Sequence, residues 1–190
     1  LVILTNKKLI GIRDPLGIRP LVIGKLGNSY IFASETCALD IVDAKFIREV
    51  ENGEMVVIEE NEIKSFKPFN KIKSRPCVFE YIYFSRPDSI LNGECAYEYR
   101  KRLGEELAKE THIDADIVVP VPDSGVPAAI GFSQFSNIKF ELGLIRNHYV
   151  GRTFIEPSQK IRSLGVKLKL NANKSSISNK KIILIDDSLV

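Results

Sequence analysis

Short apolar runs broken by turn residues dominate the first seventy positions. "KLIGIRD" (Lys8 to Asp14) leads into "PLVIGKL" through the turn-rich "DPLGIRP". "SYIFAS" follows Gly27 and Asn28, and "EMVVIEE" follows Asn52 and Gly53. Runs of this length with glycine, asparagine and proline between them predict antiparallel strands. Within this stretch only "ETCALDIV", Glu35 to Val42, predicts a short helix.

The pattern changes after "KIKSRPC" (Lys71 to Cys77), where lysine, serine and proline cluster and a domain boundary is expected. Residues 94 to 111 predict a helix that presents Ala96, Tyr99, Leu103 and Leu107 on one face. Strand "DIVVPV", loop "PDSG", helix "VPAAIGFSQF", strand "KFELGLI", a long basic segment and strand "KIILID" follow in that order. Apolar strands alternating with helices predict a parallel α/β sheet. The last strand, in "KKIILIDDSLV", has four consecutive apolar residues and is expected to be parallel and buried on both faces. No covering helix follows it and no initiator methionine or signal-peptide layout opens the chain, so an internal stretch of a longer protein is expected.

Composition narrows the class without naming it. With 44% hydrophobic and 27% charged residues, the 190-residue chain is ordinary globular material. No stretch approaches the roughly 18 apolar residues of a membrane span. Three cysteines, Cys37, Cys77 and Cys95, with no C-x-x-C spacing, fit a reducing compartment, and a cytoplasmic location is expected. The net charge of +3 conceals a local excess: residues 139 to 181 carry ten lysines and arginines against Glu141 and Glu156. Such a stretch is either a solvated basic face or the site of an anionic partner, whether a phosphorylated small molecule, a nucleic acid or a membrane surface.

Ligands of open α/β sheets bind beyond the carboxyl ends of the strands. Two loops qualify here. "PDSG" places Asp123, Ser124 and Gly125 at the start of a helix, where backbone N–H groups and the helix dipole attract phosphate; turn and helix-cap composition is the plainer alternative. "DDSLV" places Asp186 and Asp187 after a strand, carboxylates suited to a ribose diol or Mg²⁺, with Ser188 opening an anion-binding turn. A strand ending in Asp-Asp also occurs in nucleoside triphosphatases, but the G-x-x-x-x-G-K-[ST] loop that they require is absent from residues 1 to 190. Arg146 to Asn171 combines Gly151 with Arg146, Arg152 and Lys160 and apolar Phe154 and Ile155, a composition shared by basic surface loops and by lids that close over charged ligands.

Taken together, "RDPLGIRPL", "ASETCALD", "FEYIYFSRPDS", "VPVPDSG", "YVGRTFIEPSQKIR", "KLKLNAN" and "ILIDDSLV" resemble the amidophosphoribosyltransferases, in that family's order and over nearly the whole chain. The resemblance implies a glutaminase of the N-terminal-nucleophile type, with antiparallel sheets, whose closing part is residues 1 to 72. It implies the first part of a type I phosphoribosyltransferase domain, a parallel sheet with helices, in residues 73 to 190. The implied reaction converts phosphoribosylpyrophosphate, glutamine and water to 5-phosphoribosylamine, glutamate and pyrophosphate at the entry to purine synthesis. The implied full-length enzyme is a homo-oligomer without nucleic-acid or membrane partners.

By resemblance, Asp186 and Asp187 grip the ribose hydroxyls and lie close to Mg²⁺, with Ser188 beside them. Ser124, with Asp123, falls in the pyrophosphate loop near the metal. Arg146 and Arg152 face the pyrophosphate, and Tyr149 to Arg162 form a closing loop that guides ammonia. Cys77 stands where some members of the family carry one ligand of a [4Fe-4S] cluster; an ordinary buried cysteine is the alternative. The cysteine nucleophile of the glutaminase step falls before Leu1, so no catalytic residue of that step is expected in this stretch, and neither activity is expected of it alone. A phosphoribosylpyrophosphate-binding regulator without catalysis is the second reading, and the basic segment 139 to 181 would serve it.

Overall fold

The structure is a computed structural model, and it describes residues 1–149 and 165–188. The chain divides into two compact units, Leu1–Tyr97 and Glu98–Val190.

In the first unit, β1 (Val2–Leu4), β2 (Lys8–Ile12), β6 (Met55–Glu59) and β7 (Glu62–Phe66) form one antiparallel sheet in that order. A second antiparallel sheet has the order β4 (Ser29–Ala33), β3 (Val22–Leu26), β5 (Lys45–Glu49). The expected strands therefore form, but β2 and β3 do not pair with each other, because the "DPLGIRP" turn carries the chain from one sheet to the other. The Asp14 carboxylate accepts the Ile18 amide, and its carbonyl accepts those of Gly17 and Gly53. Leu21, Ile23, Val50, Val56 and Ile58 fill the core between the sheets. Helix α1 (Thr36–Ile41) buries Leu39 with Val22 and Ala44 in a second cluster.

Glu54 is 2% exposed and ties this unit together. It accepts both Arg48 guanidinium nitrogens at 2.8 and 2.7 Å, the Ser65 hydroxyl at 2.7 Å and the Glu51 amide at 2.7 Å. Burial alone would raise its pKa, but these donors outweigh that and bring it down to about 2.

Residues 77 to 97 are fastened to this first unit. They comprise a single π-helical turn (Glu80–Phe84) and a hairpin of β8 (Ile90–Leu91) and β9 (Glu94–Cys95). The hairpin turns at Asn92 and Gly93, both with positive φ, the usual chemistry of a tight reversal. The Glu35 carboxylate accepts the Arg86 amide and the Ser89 hydroxyl, both at 2.7 Å, and Thr36 Oγ1 accepts the Ile90 amide at 2.8 Å.

The second unit is built on the parallel sheet that the apolar strands predict. Its order is β11 (Lys139–Phe140), β10 (Ile117–Pro120), β14 (Ile182–Ile185). Helix α3 (Val126–Ser136) lies on it, and Val118, Ala129, Phe132, Ile183 and Ile185 form the core with Ala108. Three expectations need correction. The central β10 is buried throughout, whereas among the described residues β14 lies at the edge of the sheet with Ile183 and Ile185 buried and Ile182 and Leu184 exposed, so only its α3-facing side is covered. "KFELGLI" is not one strand: after β11 the chain breaks at Gly143, and β12 (Leu144–Arg146) joins β13 (Leu170–Ala172) in an antiparallel ribbon, followed by the short α4 (Lys174–Ile177).

The third correction concerns α2 (Ala96–Glu110), which turns inward Ala96, Arg100, Gly104 and Ala108, while Leu103 and Leu107 are about two-fifths exposed. The reason is close backbone contact. A Cβ at Gly104 would stand 1.8 Å from the Ala128 carbonyl oxygen, and one at Gly131 would stand 1.9 Å from that of Lys101. Only glycine permits such an approach, so the smallest residues of α2 face α3 and the leucines do not. Among the described residues, no helix is long and apolar enough to cross a membrane.

Candidate functional site

Pairing of β10 with β14 in the register Pro120↔Ile185 ends both strands at the same level. The segment following each therefore emerges at the carboxyl edge of the sheet, side by side. The Val121 amide donates to the Ile185 carbonyl at 2.7 Å, and a Cβ on Gly125 would lie 2.4 Å from that oxygen and 3.2 Å from Asp186 Cα. The absence of a side chain at Gly125 is what lets the "PDSG" loop sit against the start of "DDS".

Asp123 and Ser124 do not cap α3, whose N-cap is Gly125. The Asp123 carboxylate instead accepts Arg146 Nη1 at 2.6 Å, which brings β12 to the same loop. No side chain of this loop caps the helix, while its backbone forms the turn of the plainer alternative: the Gly125 amide donates to the Val121 carbonyl at 3.0 Å and the Val126 amide to that of Asp123 at 3.3 Å. The Pro122–Asp123 peptide bond is cis.

On the neighbouring loop, Asp186 Oδ1 accepts the Asp187 amide at 2.8 Å and Asp187 Oδ1 accepts the Ser188 hydroxyl at 2.6 Å. Asp186 is open to solvent on one side, yet partial burial at the strand end pushes its carboxyl above the ordinary range. The Asp187 amide opposes that rise and the Asp187 carboxylate adds to it. A carboxylate that is costly to charge in isolation gains from a nearby cation.

Five sequence-predicted residues, Asp123, Ser124, Asp186, Asp187 and Ser188, are therefore carried by two abutting loops, with Arg146 joined to them through Asp123. Arg152 and most of the expected closing loop lie outside the described residues. Lys169 and Lys174 carried no individual role in the sequence reading; here they line an open groove together with Arg146, Asn147, Asn171 and Asn173. Their signal was the local excess of basic residues, part of which is internally neutralised: Lys139 pairs with Glu141 at 2.5 Å and Lys181 with Asp114 at 2.8 Å.

The loop donors are hard oxygens, the chemistry of Mg²⁺ rather than of soft metals. Among the described residues no group of three or more His, Cys, Asp or Glu side chains is placed to hold a metal. The pair Asp186 and Asp187 fits an ion that completes its shell with phosphate oxygens and water. Cys77 is half-buried with its amide on the Ile18 carbonyl, and all three cysteines are free. One thiolate falls short of the usual four of a [4Fe-4S] cluster, and the described residues offer no companions.

No protein-family model matches the chain. Curated relatives do: the amidophosphoribosyltransferase of Rhizobium etli is 57% identical over 98% of this chain and 39% of its own length. That of Synechocystis is 55% identical over 100% of this chain and 39% of its own length. A solved structure of glutamine phosphoribosylpyrophosphate amidotransferase from B. subtilis, complexed with ADP and GMP, superposes with a TM-score of 0.91 at 48% identity, covering 100% of this chain and 42% of that one. The chain spans about two-fifths of the length of these relatives, and over that span its sequence and fold place it in the amidophosphoribosyltransferase family.

Proposed function

We propose that this chain serves an enzyme that makes 5-phosphoribosylamine, glutamate and pyrophosphate from phosphoribosylpyrophosphate, glutamine and water, the first step of de novo purine synthesis. In this reading residues 1–72 close a glutaminase domain of the N-terminal-nucleophile type, and residues 73–190 open a type I phosphoribosyltransferase domain. The carrying observation is the Pro120↔Ile185 register, which brings an Asp-Ser-Gly loop and an Asp-Asp-Ser loop together at one sheet edge. Its support from kinship is the 57% identity to an enzyme of that name.

Displacing pyrophosphate from a ribose carbon builds positive character on the sugar and negative charge on the leaving group. Asp186 and Asp187 accept hydrogen bonds from the ribose hydroxyls and fix the sugar. Ser124, at the positive end of α3, donates its hydroxyl to phosphate oxygens. Arg146, with Arg152, offsets the charge that develops on the departing pyrophosphate. Asp186 and Asp187, with Ser124, would hold a Mg²⁺ ion, which when bound would supply further neutralisation of the leaving group's charge. The reducing compartment inferred from three unpaired thiols is the cytoplasm.

The test is pyrophosphate release by the full-length protein carrying this sequence, with glutamine or ammonia as nitrogen donor. Release with both donors is expected, with Asp187→Asn lowering it at least about a hundredfold. Tight binding of phosphoribosylpyrophosphate without release under either condition would replace this reading with that of a ligand-binding regulator.

A further inference from the structure

Arg146 meets the site already engaged. Its Nη1 donates to Asp123 Oδ2 at 2.6 Å across 23 residues of sequence, joining β12 to the loop between β10 and α3. Its Nε is buried and has no hydrogen-bond partner among the described residues. Among the described residues the guanidinium is thus held by one nitrogen and not by the two-point fork that makes arginine–oxyanion pairs strong. The partners differ in exposure, 31% for the Arg146 side chain and 56% for Asp123. An exposed carboxylate loses little on returning to water, whereas a half-buried guanidinium with an idle donor gains from a larger anion.

We propose that Asp123 is an internal competitor for the anion: it holds Arg146 in the ligand-free protein and yields it when pyrophosphate, free or as part of the substrate, arrives. The inference rests on the reading that Arg146 faces pyrophosphate, and it gives Asp123 an effect on binding opposite to that of the neighbouring groups. Asp123 is then a positioning residue. It keeps Arg146 extended toward the loop and lowers the apparent affinity by the fraction of molecules in which the pair is closed. The carboxylates of the adjoining loop are engaged within it: Asp186 accepts the Asp187 amide and Asp187 accepts the Ser188 hydroxyl, while Glu141 pairs with Lys139. The competitor is therefore specific to Asp123.

The experiment is calorimetric titration of the full-length protein with magnesium pyrophosphate. Asp123→Asn keeps the shape and removes the charge, and it should tighten binding about threefold to fivefold, the range of an exposed ion pair. Glu141→Gln makes the same change in net charge within the same unit and should leave the affinity as it was. Arg146→Gln should weaken binding more than about tenfold, and in that background Asp123→Asn should no longer tighten it. Asp123→Ser, which also lacks the charge, should reproduce the Asn result, with thermal unfolding confirming that each variant is folded. Equal or weaker binding by both Asp123 variants, with Arg146→Gln still weak, would overturn the competitor and leave the site reading intact. Tightening by Glu141→Gln to the same extent would reduce the effect to net charge and overturn it as well. Undiminished binding by Arg146→Gln would overturn the assignment of Arg146 to pyrophosphate, on which the inference rests.

Discussion

The Val121 amide donates to the Ile185 carbonyl at 2.7 Å, one step beyond the Pro120↔Ile185 pair. This bond extends the β10–β14 ladder into the loops and fixes the level at which both turn away from the sheet. Gly125 sits against the same carbonyl, so the spacing of the two loops depends on a missing side chain.

Gly125→Ala introduces a Cβ 2.4 Å from Ile185 O, against backbone that cannot swing aside as a side chain can. The loops must separate. The expected outcome is a loss of about 1–3 kcal/mol in stability and a marked weakening of magnesium pyrophosphate binding, read by urea unfolding and calorimetry. Stability and binding both unchanged would refute the close approach.

At Asp186 folding and function pull in opposite directions. Its carboxyl is raised, chiefly by burial. A raised folded-state pKa means that the folded protein holds the proton more tightly than the unfolded chain. The stabilisation is fully present below the ordinary aspartate pKa and is lost as pH rises through the folded value. Asp186→Asn should therefore leave stability at neutral pH unchanged or slightly higher while abolishing the Mg²⁺ dependence of pyrophosphate binding. Thermal unfolding paired with titration at several Mg²⁺ concentrations reads both.

Glu54 has the opposite sign. Its pKa is lowered from 4.5 to about 2, so its stabilisation is present above the ordinary glutamate value and lost as pH falls toward 2. The shift corresponds to about 3 kcal/mol. Urea unfolding between about pH 5 and pH 2 should show this loss in the native chain and a flatter profile in Glu54→Gln, which should also be less stable at neutral pH because Arg48 loses its forked partner. Parallel profiles for the two proteins would refute the role given to Glu54.

Gly104→Ala and Gly131→Ala should each destabilise the second unit by about 2–4 kcal/mol, because each new methyl meets a backbone carbonyl oxygen at less than 2 Å. Leu103→Ala, on the exposed side of the same helix, should cost well under about 1 kcal/mol. Equal losses for the glycine and leucine changes, read by urea unfolding, would place the wrong face inward.

Element types were largely legible in the sequence because apolar periodicity and turn residues encode them locally: the antiparallel strands, α1, α3, β10 and β14 all form near their expected positions. Partnership was less legible. Nothing in "DPLGIRP" announces that β2 and β3 enter different sheets, since a turn sequence specifies a reversal and not the neighbour it reaches. The buried face of α2 is not legible from its pattern, because leucine usually marks the buried side, whereas here backbone contact at Gly104 and Gly131 decides it. The hairpin at Asn92–Gly93 has an open Asn-Gly turn signal, but its two-residue strands are too short to show an alternating pattern. For the site, the two loops were readable from their places after apolar strands, and the Asp123–Arg146 pair was not, because it joins elements 23 residues apart with no periodic link.

The α2–α3 contact also limits how this protein can change. A side-chain interface drifts through compensating substitutions, one residue growing as its neighbour shrinks. Where the main chains themselves touch, at Gly104 beside Ala128 and Gly131 beside Lys101, there is nothing to exchange. Libraries built to alter ligand preference will therefore find accepted variation in the loops after β10 and β14, Gly125 apart, and on the exposed face of α2, while the glycine contacts between the helices admit almost none.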